Sequence, residues 1–136
     1  MAFKDILIKK LKGEIDEDKL KFLPSGFQRI GDIIILNLNK EVVKYKKEIG
    51  KIVLDNFKVR SVFLKEGGIT GKFREPQISV IAGDKNTIVT HFENNCYYKF
   101  DIKKIMFAKG NLSERVRIAK EVKHDEIIVD MFAGIG

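Results

Sequence analysis

Apolar residues recur at helical spacing near the start of this chain. In residues 3–12, one helical face carries Phe3, Ile6, Leu7 and Leu11, while lysines line the other face. Acidic residues from Asp16 onward are typical of a first helical turn, and the tract Pro24-Ser25-Gly26 stops the pattern. The pattern therefore predicts one helix over residues 3–12 and a short second helix beginning at Asp16.

Strand-like and helical patterns then follow each other. The β-branched run within residues 29–36 predicts a strand that is buried on both faces. Residues 40–57 predict a helix, because their apolar positions form one stripe. Further strands are predicted at 59–64, 77–82, 86–92 and 96–101, with turns at 66–68, 83–84 and 94–95. Residues 1–100 thus form a small α+β domain, with a mixed sheet and flanking helices.

The pattern changes after Phe100, and we place a domain boundary near residue 101. Asn111 and Glu114 have the spacing of a capping box, which predicts a helix from Leu112 to about Val122. The apolar run 127–129 predicts a strand, and a glycine-containing loop ends the sequence. A strand that runs into a glycine turn is typical of the first strand and loop of a nucleotide-binding α/β domain. Residues 101–136 therefore indicate the truncated start of a Rossmann-like domain.

Composition narrows the classes of protein. The 136 residues are 44% hydrophobic and 33% charged, which is typical of globular domains. The net charge of +7 favours a polyanionic partner, although lysine-rich surfaces also occur on ordinary soluble proteins. A single cysteine, Cys96, excludes an internal disulfide and a cysteine-rich metal site. With no long apolar segment, one cysteine and only two histidines, we expect a cytoplasmic, metal-free protein, and we also expect a monomer.

Three places carry candidate chemistry. Glycines in the terminal loop let backbone N–H groups approach a ligand, and Asp130 ends the preceding strand. Lys72 and Arg74 flank a phenylalanine in a loop and could bind RNA, or they could belong to a solvated turn. Arg115 lies in the first turn of a helix, where a cation is unfavourable. That position indicates an anionic partner, either a ligand carboxylate or a nearby acid such as Glu114 or Asp125.

Two further residues share a strand face. His91 and Glu93 are two positions apart, so both side chains point the same way. An acid–base pair is one interpretation, and ordinary packing is the other. Cys96 is expected to be a small buried hydrophobe.

The motifs taken together resemble a known group of enzymes. The tracts that carry the resemblance are Phe27 to Asp32, Gly71 to Arg74, Lys99 to Asp101, Ile105 to Phe107, Gly110-Asn111, Glu114 to Arg117, and Val129 to Gly136. In order and spacing they resemble the archaeal and eukaryotic enzymes that modify guanosine 37 of tRNA. This superfamily contains guanine-37 N1-methyltransferases and wybutosine-pathway aminocarboxypropyltransferases. Gly110-Asn111-Leu112 departs from the methyltransferase pattern, so the sequence is more similar to the aminocarboxypropyl branch.

The resemblance implies a cofactor, a partner and site residues. The cofactor is S-adenosylmethionine, and the partner is the anticodon loop of tRNA around position 37. Arg115 matches the family arginine that approaches the methionine part of the cofactor. Phe132, Ala133 and Gly134 match the first cofactor loop, together with Asp130. Ala108 stands where relatives commonly carry serine, so only a backbone contact is inherited there.

The resemblance also implies that the chain is a fragment. The rest of the Rossmann-like sheet, with its ribose-binding acid and later substrate loop, is expected to lie outside these residues. We expect the fragment alone to be inactive, and a non-catalytic tRNA-binding module is the alternative interpretation. The catalytic residues are not identified by the sequence.

Overall fold

The computed structural model describes residues 1–70, 72, 75–131 and 135. Its helices are α1 (Phe3–Leu11), α2 (Lys46–Asn56) and α3 (Leu112–Glu121). Its strands are β1 (Gln28–Ile30), β2 (Ile33–Leu36), β3 (Ser61–Thr70), β4 (Glu75–Gly83), β5 (Ile88–Glu93) and β6 (Cys96–Asp101). Short 3-10 helices lie at Glu17–Phe22, Val43–Tyr45 and Lys109–Asn111. The predicted elements are therefore present through residue 101, but the helix predicted at 40–57 is a 3-10 turn at Val43–Tyr45 followed by α2. Further changes are described below.

The strands form a four-stranded sheet and a separate hairpin. The sheet order is β1-β2-β3-β4, and the hairpin pairs β5 with β6. Only the β2–β3 pair is parallel within the sheet, while β1–β2 and β3–β4 are antiparallel. The parallel pair requires a crossover, which α2 supplies. The predicted mixed sheet with flanking helices is thus confirmed.

Strand β2 is buried on both faces, as its unbroken apolar run predicts. Ile34 and Leu36 belong to a core with α1 and α2, in which Leu7, Leu11, Ile49 and Val53 are fully buried. Ile33 faces the opposite side and packs with Phe63, Val89 and Phe100. The sheet is therefore a middle layer, with helices on one side and the β5–β6 hairpin on the other.

Two turns differ from the prediction. Residues 29–36 are not one strand, because Gly31 adopts a φ of +55° and the chain folds back into the β1–β2 hairpin. Residues 66–68 do not form a turn but continue β3, where the pairing with β4 shifts register between Lys65 and Ile69.

Cys96 is exposed, not buried, because it stands at the start of β6 next to the hairpin turn.

The β5–β6 turn follows its sequence closely. Asn94 and Asn95 have φ values of +48° and +60°, and Glu93 pairs with Cys96 across a two-residue loop. Two successive positive φ values characterise a type I′ turn, which asparagine tolerates. This turn fixes the register of the hairpin, and hence which side chains reach each face.

Arg60 joins the two sheets. Its guanidinium donates to the carbonyl oxygens of Asn86 at 2.7 Å and Ile88 at 2.6 Å, and its Nε donates to Asp32 Oδ2 at 2.9 Å. The first two acceptors lie at the start of the hairpin, and the third lies in the β1–β2 turn. One side chain therefore links the β1–β2 turn to the start of the hairpin.

We expect Arg60→Lys to lower the free energy of unfolding by about 2 kcal/mol, because lysine cannot reproduce a fork of charged hydrogen bonds. Urea denaturation followed by circular dichroism would measure the loss. Arg117→Lys is the matched control, because Arg117 lies in an exposed ion pair on α3. Equal losses for the two variants would contradict a joining role for Arg60.

Candidate functional site

The inward face of the hairpin positions the first two polar residues. Side chains alternate along β5, so His91 and Glu93 point inward and are 9% and 8% exposed. Phe92 lies between them and points outward. The prediction that His91 and Glu93 share a face is confirmed. Because both side chains are buried, each of their polar groups needs a hydrogen-bond partner.

His91 is tied to the first sheet. Its Nδ1 accepts a hydrogen bond from the Gly31 N–H at 3.0 Å, which places the proton of a neutral ring on Nε2. Its ring meets the edge of Phe107 with centroids 5.1 Å apart. These contacts support the packing interpretation of His91 over the acid–base pair with Glu93.

Phe107 is the hydrophobic centre of the site. Its ring is 5% exposed and lies 5.3 Å from Tyr98 and 5.4 Å from Phe100, measured between centroids. Its carbonyl oxygen accepts from Gln28 Nε2 at 3.2 Å. Phe107 thus connects β1, the hairpin and the segment that leads to α3.

Arg115 reaches across this centre from α3 to Glu93. Its NH2 donates to Glu93 Oε2 at 2.8 Å and to Oε1 at 3.1 Å. Its NH1 donates to the carbonyl of Ala108 at 2.9 Å, and its guanidinium carbon lies 5.2 Å from the Phe107 ring centroid. The pair is largely removed from water, which strengthens the attraction but also raises the cost of breaking it.

One donor of the Arg115 guanidinium is left without an acceptor. Its Nε is buried and has no hydrogen-bond partner among the described residues. Buried polar atoms are normally paired, so this donor is an exception within the described site.

The sequence predicted the right chemistry for Arg115 but the wrong acids. Glu114 instead pairs with Arg117, whose guanidinium lowers the pKa of the Glu114 carboxyl. Asp125 contacts His124 at 3.1 Å. The predicted capping box is also wrong, since Asn111 makes no side-chain cap hydrogen bond at the start of α3.

A cleft and a cavity border the site. An open cleft separates the hairpin from α3, and its lining consists of His91, Phe92, Glu93, Asn94, Leu112 and Val116. A cavity of about 80 Å³ lies under the segment before α3. Its lining includes Gln28, Ile30, Lys65, Ile78, Met106 and Phe107. Arg115 and Phe107 therefore stand beside surfaces that are mostly apolar.

The other predicted site residues are only partly described. Ala108 is exposed, and its carbonyl accepts from Arg115. Asp130 is exposed and lies outside regular structure. Lys72 is exposed in the turn between β3 and β4. Arg74, Phe132, Ala133 and Gly134, which were also predicted as site residues, lie outside the described residues.

The strand predicted at 127–129 is wrong in this structure. Ile127, Ile128 and Val129 are 94%, 60% and 78% exposed. A strand requires a hydrogen-bonded neighbour, and no described strand pairs with these residues. Helix α3 is similarly open, with Ile118 47% exposed.

The described residues contain no group of three or more His, Cys, Asp or Glu side chains that could hold a metal ion. No described helix is both long and apolar enough to cross a membrane.

The fold and the site describe an α+β chain in which a mixed sheet and a hairpin precede the helix that carries Arg115. Residues 7–87 match the family model of the TYW2 N-terminal domain, and residues 87–136 match that of the TRM5/TYW2 methyltransferase domain. The chain therefore belongs to the TRM5/TYW2 family. The two matches meet at residue 87, between β4 and β5.

Curated relatives come from both branches of that family. The chain is 43% identical, over 93% of its length, to a tRNA(Phe) (4-demethylwyosine(37)-C(7)) aminocarboxypropyltransferase of Pyrococcus horikoshii. It is 35% identical, over 99% of its length, to a tRNA (guanine(37)-N(1))-methyltransferase, Trm5b, of Methanocaldococcus jannaschii. It spans 45% and 40% of those two proteins, which is less than half of each.

Solved structures show the same fold. A complex of aTrm5 with tRNA(Leu) matches all of this chain, which covers 40% of that protein, with a TM-score of 0.83 and 34% identity. The TYW2 of P. horikoshii in complex with MeSAdo matches 97% of this chain, which covers 46% of that protein, with a TM-score of 0.76 and 36% identity. The predicted family and fold class are therefore confirmed.

Proposed function

We propose that the whole protein to which this chain belongs is an S-adenosylmethionine-dependent transferase that modifies position 37 of tRNA. It transfers the 3-amino-3-carboxypropyl group to a wyosine precursor. The observation that carries this proposal is the 43% identity to the P. horikoshii aminocarboxypropyltransferase, combined with the match of residues 7–87 to the TYW2 N-terminal domain. The chain alone is expected to be inactive.

The described site supports a place for the methionine part of the cofactor. In this proposal the charge of the Arg115 guanidinium attracts the cofactor carboxylate, while its NH2 stays on Glu93. Leu112 and Val116 offer apolar contact along the cleft. Ala108, Asp130, Phe132, Ala133 and Gly134 complete the proposed cofactor residues.

Positioning supplies most of the proposed catalysis. When bound, S-adenosylmethionine brings carbons that its sulfonium already activates. Arg115 orients the methionine carboxylate, and that orientation decides which carbon faces the acceptor. Glu93, Phe107 and the Ala108 carbonyl hold the guanidinium in place. These side chains therefore act through geometry and not through bond making.

Methyl transfer to guanosine 37 is the second candidate function. The observation in its favour is the 0.83 TM-score of the match to aTrm5, a structure that contains tRNA. A third possibility is a tRNA-binding module without catalysis. In every case Lys72 and Arg74 are proposed RNA contacts, and the protein is proposed to be a cytoplasmic monomer.

Two labelled cofactors distinguish these functions. Full-length protein is incubated with tRNA(Phe) that carries 4-demethylwyosine, or with tRNA that carries unmodified guanosine 37. We expect label from the aminocarboxypropyl carbons to reach only the first RNA, and label from the methyl group to reach neither. Methyl label on unmodified tRNA would establish the second function, and no transfer of either label would favour the binding module.

A further inference from the structure

The outer face of the β5–β6 hairpin carries an exposed pair of aromatic rings. Phe92 and Tyr97 are directly paired across the two strands and point away from Glu93. Their ring centroids lie 4.8 Å apart, and the residues are 54% and 76% exposed. Large aromatic side chains left in water at one place indicate a surface that meets a partner.

The hairpin holds these rings rigidly. Val89 and Phe100, on its inner face, are buried at 2% and 5% exposure in the core beneath the first sheet. The Asn94-Asn95 turn closes the hairpin one residue beyond the pair. A partner therefore finds the rings already in position, which reduces the entropy lost on binding.

The charges beside the rings favour a nucleic-acid partner. Lys99 is exposed and lies on the same face as Tyr97, roughly 7 Å along the strand. Lys103 and Lys104 follow, also exposed. Asp101 is the acidic residue at that end of the face, and its Oδ1 accepts from the Lys103 N–H. Lysine is depleted at the centre of protein interfaces, whereas rings beside lysines are typical of surfaces that bind single-stranded RNA.

We propose that Phe92 and Tyr97 form a stacking platform for unpaired bases of RNA, with Lys99 contacting the adjoining phosphate. This proposal rests on the proposed function, because tRNA is the RNA that the whole protein would bind. It assigns the contact to loop nucleotides and not to a duplex stem, since paired bases do not present their faces.

The test uses full-length protein with four variants: Phe92→Ala, Tyr97→Ala, Lys99→Ala and the control Val43→Ala. Val43 is an exposed apolar residue at 38%, in the 3-10 helix before α2. Affinity is measured by fluorescence anisotropy for tRNA, for an unstructured RNA oligonucleotide, and for the same oligonucleotide paired into a duplex. We expect about tenfold weaker binding of tRNA and of the unpaired oligonucleotide for each aromatic variant. Val43→Ala and duplex binding should be unchanged.

Footprinting distinguishes burial of the two rings by RNA from burial by another part of the protein. Hydroxyl-radical labelling of Phe92 and Tyr97 is compared in full-length protein with and without tRNA. Protection that requires tRNA supports the platform. Protection without RNA, or unaltered affinity in both aromatic variants, would overturn it. A wild-type protein that transfers no group would refute the proposed function, yet these affinity and footprinting results would still decide the platform.

Discussion

Arg115→Met is expected to lower the free energy of unfolding by about 3 kcal/mol, because it leaves a buried carboxylate without its cation. Glu93 is 8% exposed, so water cannot readily replace the lost guanidinium. Methionine keeps an apolar stem over the Phe107 ring and removes only the charge and the donors. Urea denaturation monitored by circular dichroism would measure the change.

A double-mutant cycle identifies the cause of that loss. Glu93→Gln should also destabilise the protein, since it weakens the charged hydrogen bonds to Arg115. The double variant should be more stable than the two separate losses predict, because it leaves no buried charge. Additive losses would contradict the pair and would assign the effect to packing.

Gly31→Ala is expected to cost about 3 kcal/mol or more, for two reasons. Gly31 has a φ of +55°, where a residue with a Cβ is strained by about 1–2 kcal/mol. A Cβ there would also lie 2.4 Å from the Thr90 carbonyl oxygen, so the first sheet and the hairpin would have to separate. The bond from Gly31 N–H to His91 would be strained as well.

Two other glycines separate these contributions. Gly13 has a φ of +90° and open space around a Cβ, so Gly13→Ala reports the backbone term alone. Gly26 has neither a positive φ nor a close neighbour, so Gly26→Ala should be nearly neutral. Thermal unfolding of the three variants should rank Gly31 well above Gly13, and Gly13 above Gly26. If Gly31→Ala lowered the thermal stability no more than Gly13→Ala does, the first sheet and the hairpin would have to adjust freely to the added Cβ.

Local patterns predicted the strands and helices because each type of element places its apolar residues at a characteristic spacing. The run Ile33 to Leu36 is apolar throughout, and it does divide between two cores. The Gly31-Asp32 turn was missed because the apolar residues on both sides hid a known turn dipeptide. Residues 127–129 have strand composition, but composition cannot supply the neighbouring strand that pairing requires.

The site was predictable in its chemistry but not in its geometry. The position of Arg115 at a helix start indicated a carboxylate partner, and the structure supplies one in Glu93. Those residues are 22 positions apart, so no helical or strand period could connect them. The importance of Phe107 also depends on tertiary contacts, because in sequence it ends an ordinary apolar tract. The assignment of a cofactor role to Arg115 stays a prediction.

The bonds that Arg60 makes to backbone carbonyls bear on how RNA binding should be studied. Bonds to the carbonyls of Asn86 and Ile88 are screened far less by ions than exposed ion pairs are. The bonds from Gln28 to Phe107 and from Gly31 to His91 involve no charged group. These hydrogen bonds should consequently persist when salt is added, whereas the Arg60–Asp32 ion pair at the same junction is screened. A salt titration of tRNA affinity would then report mainly the phosphates neutralised by lysine and arginine.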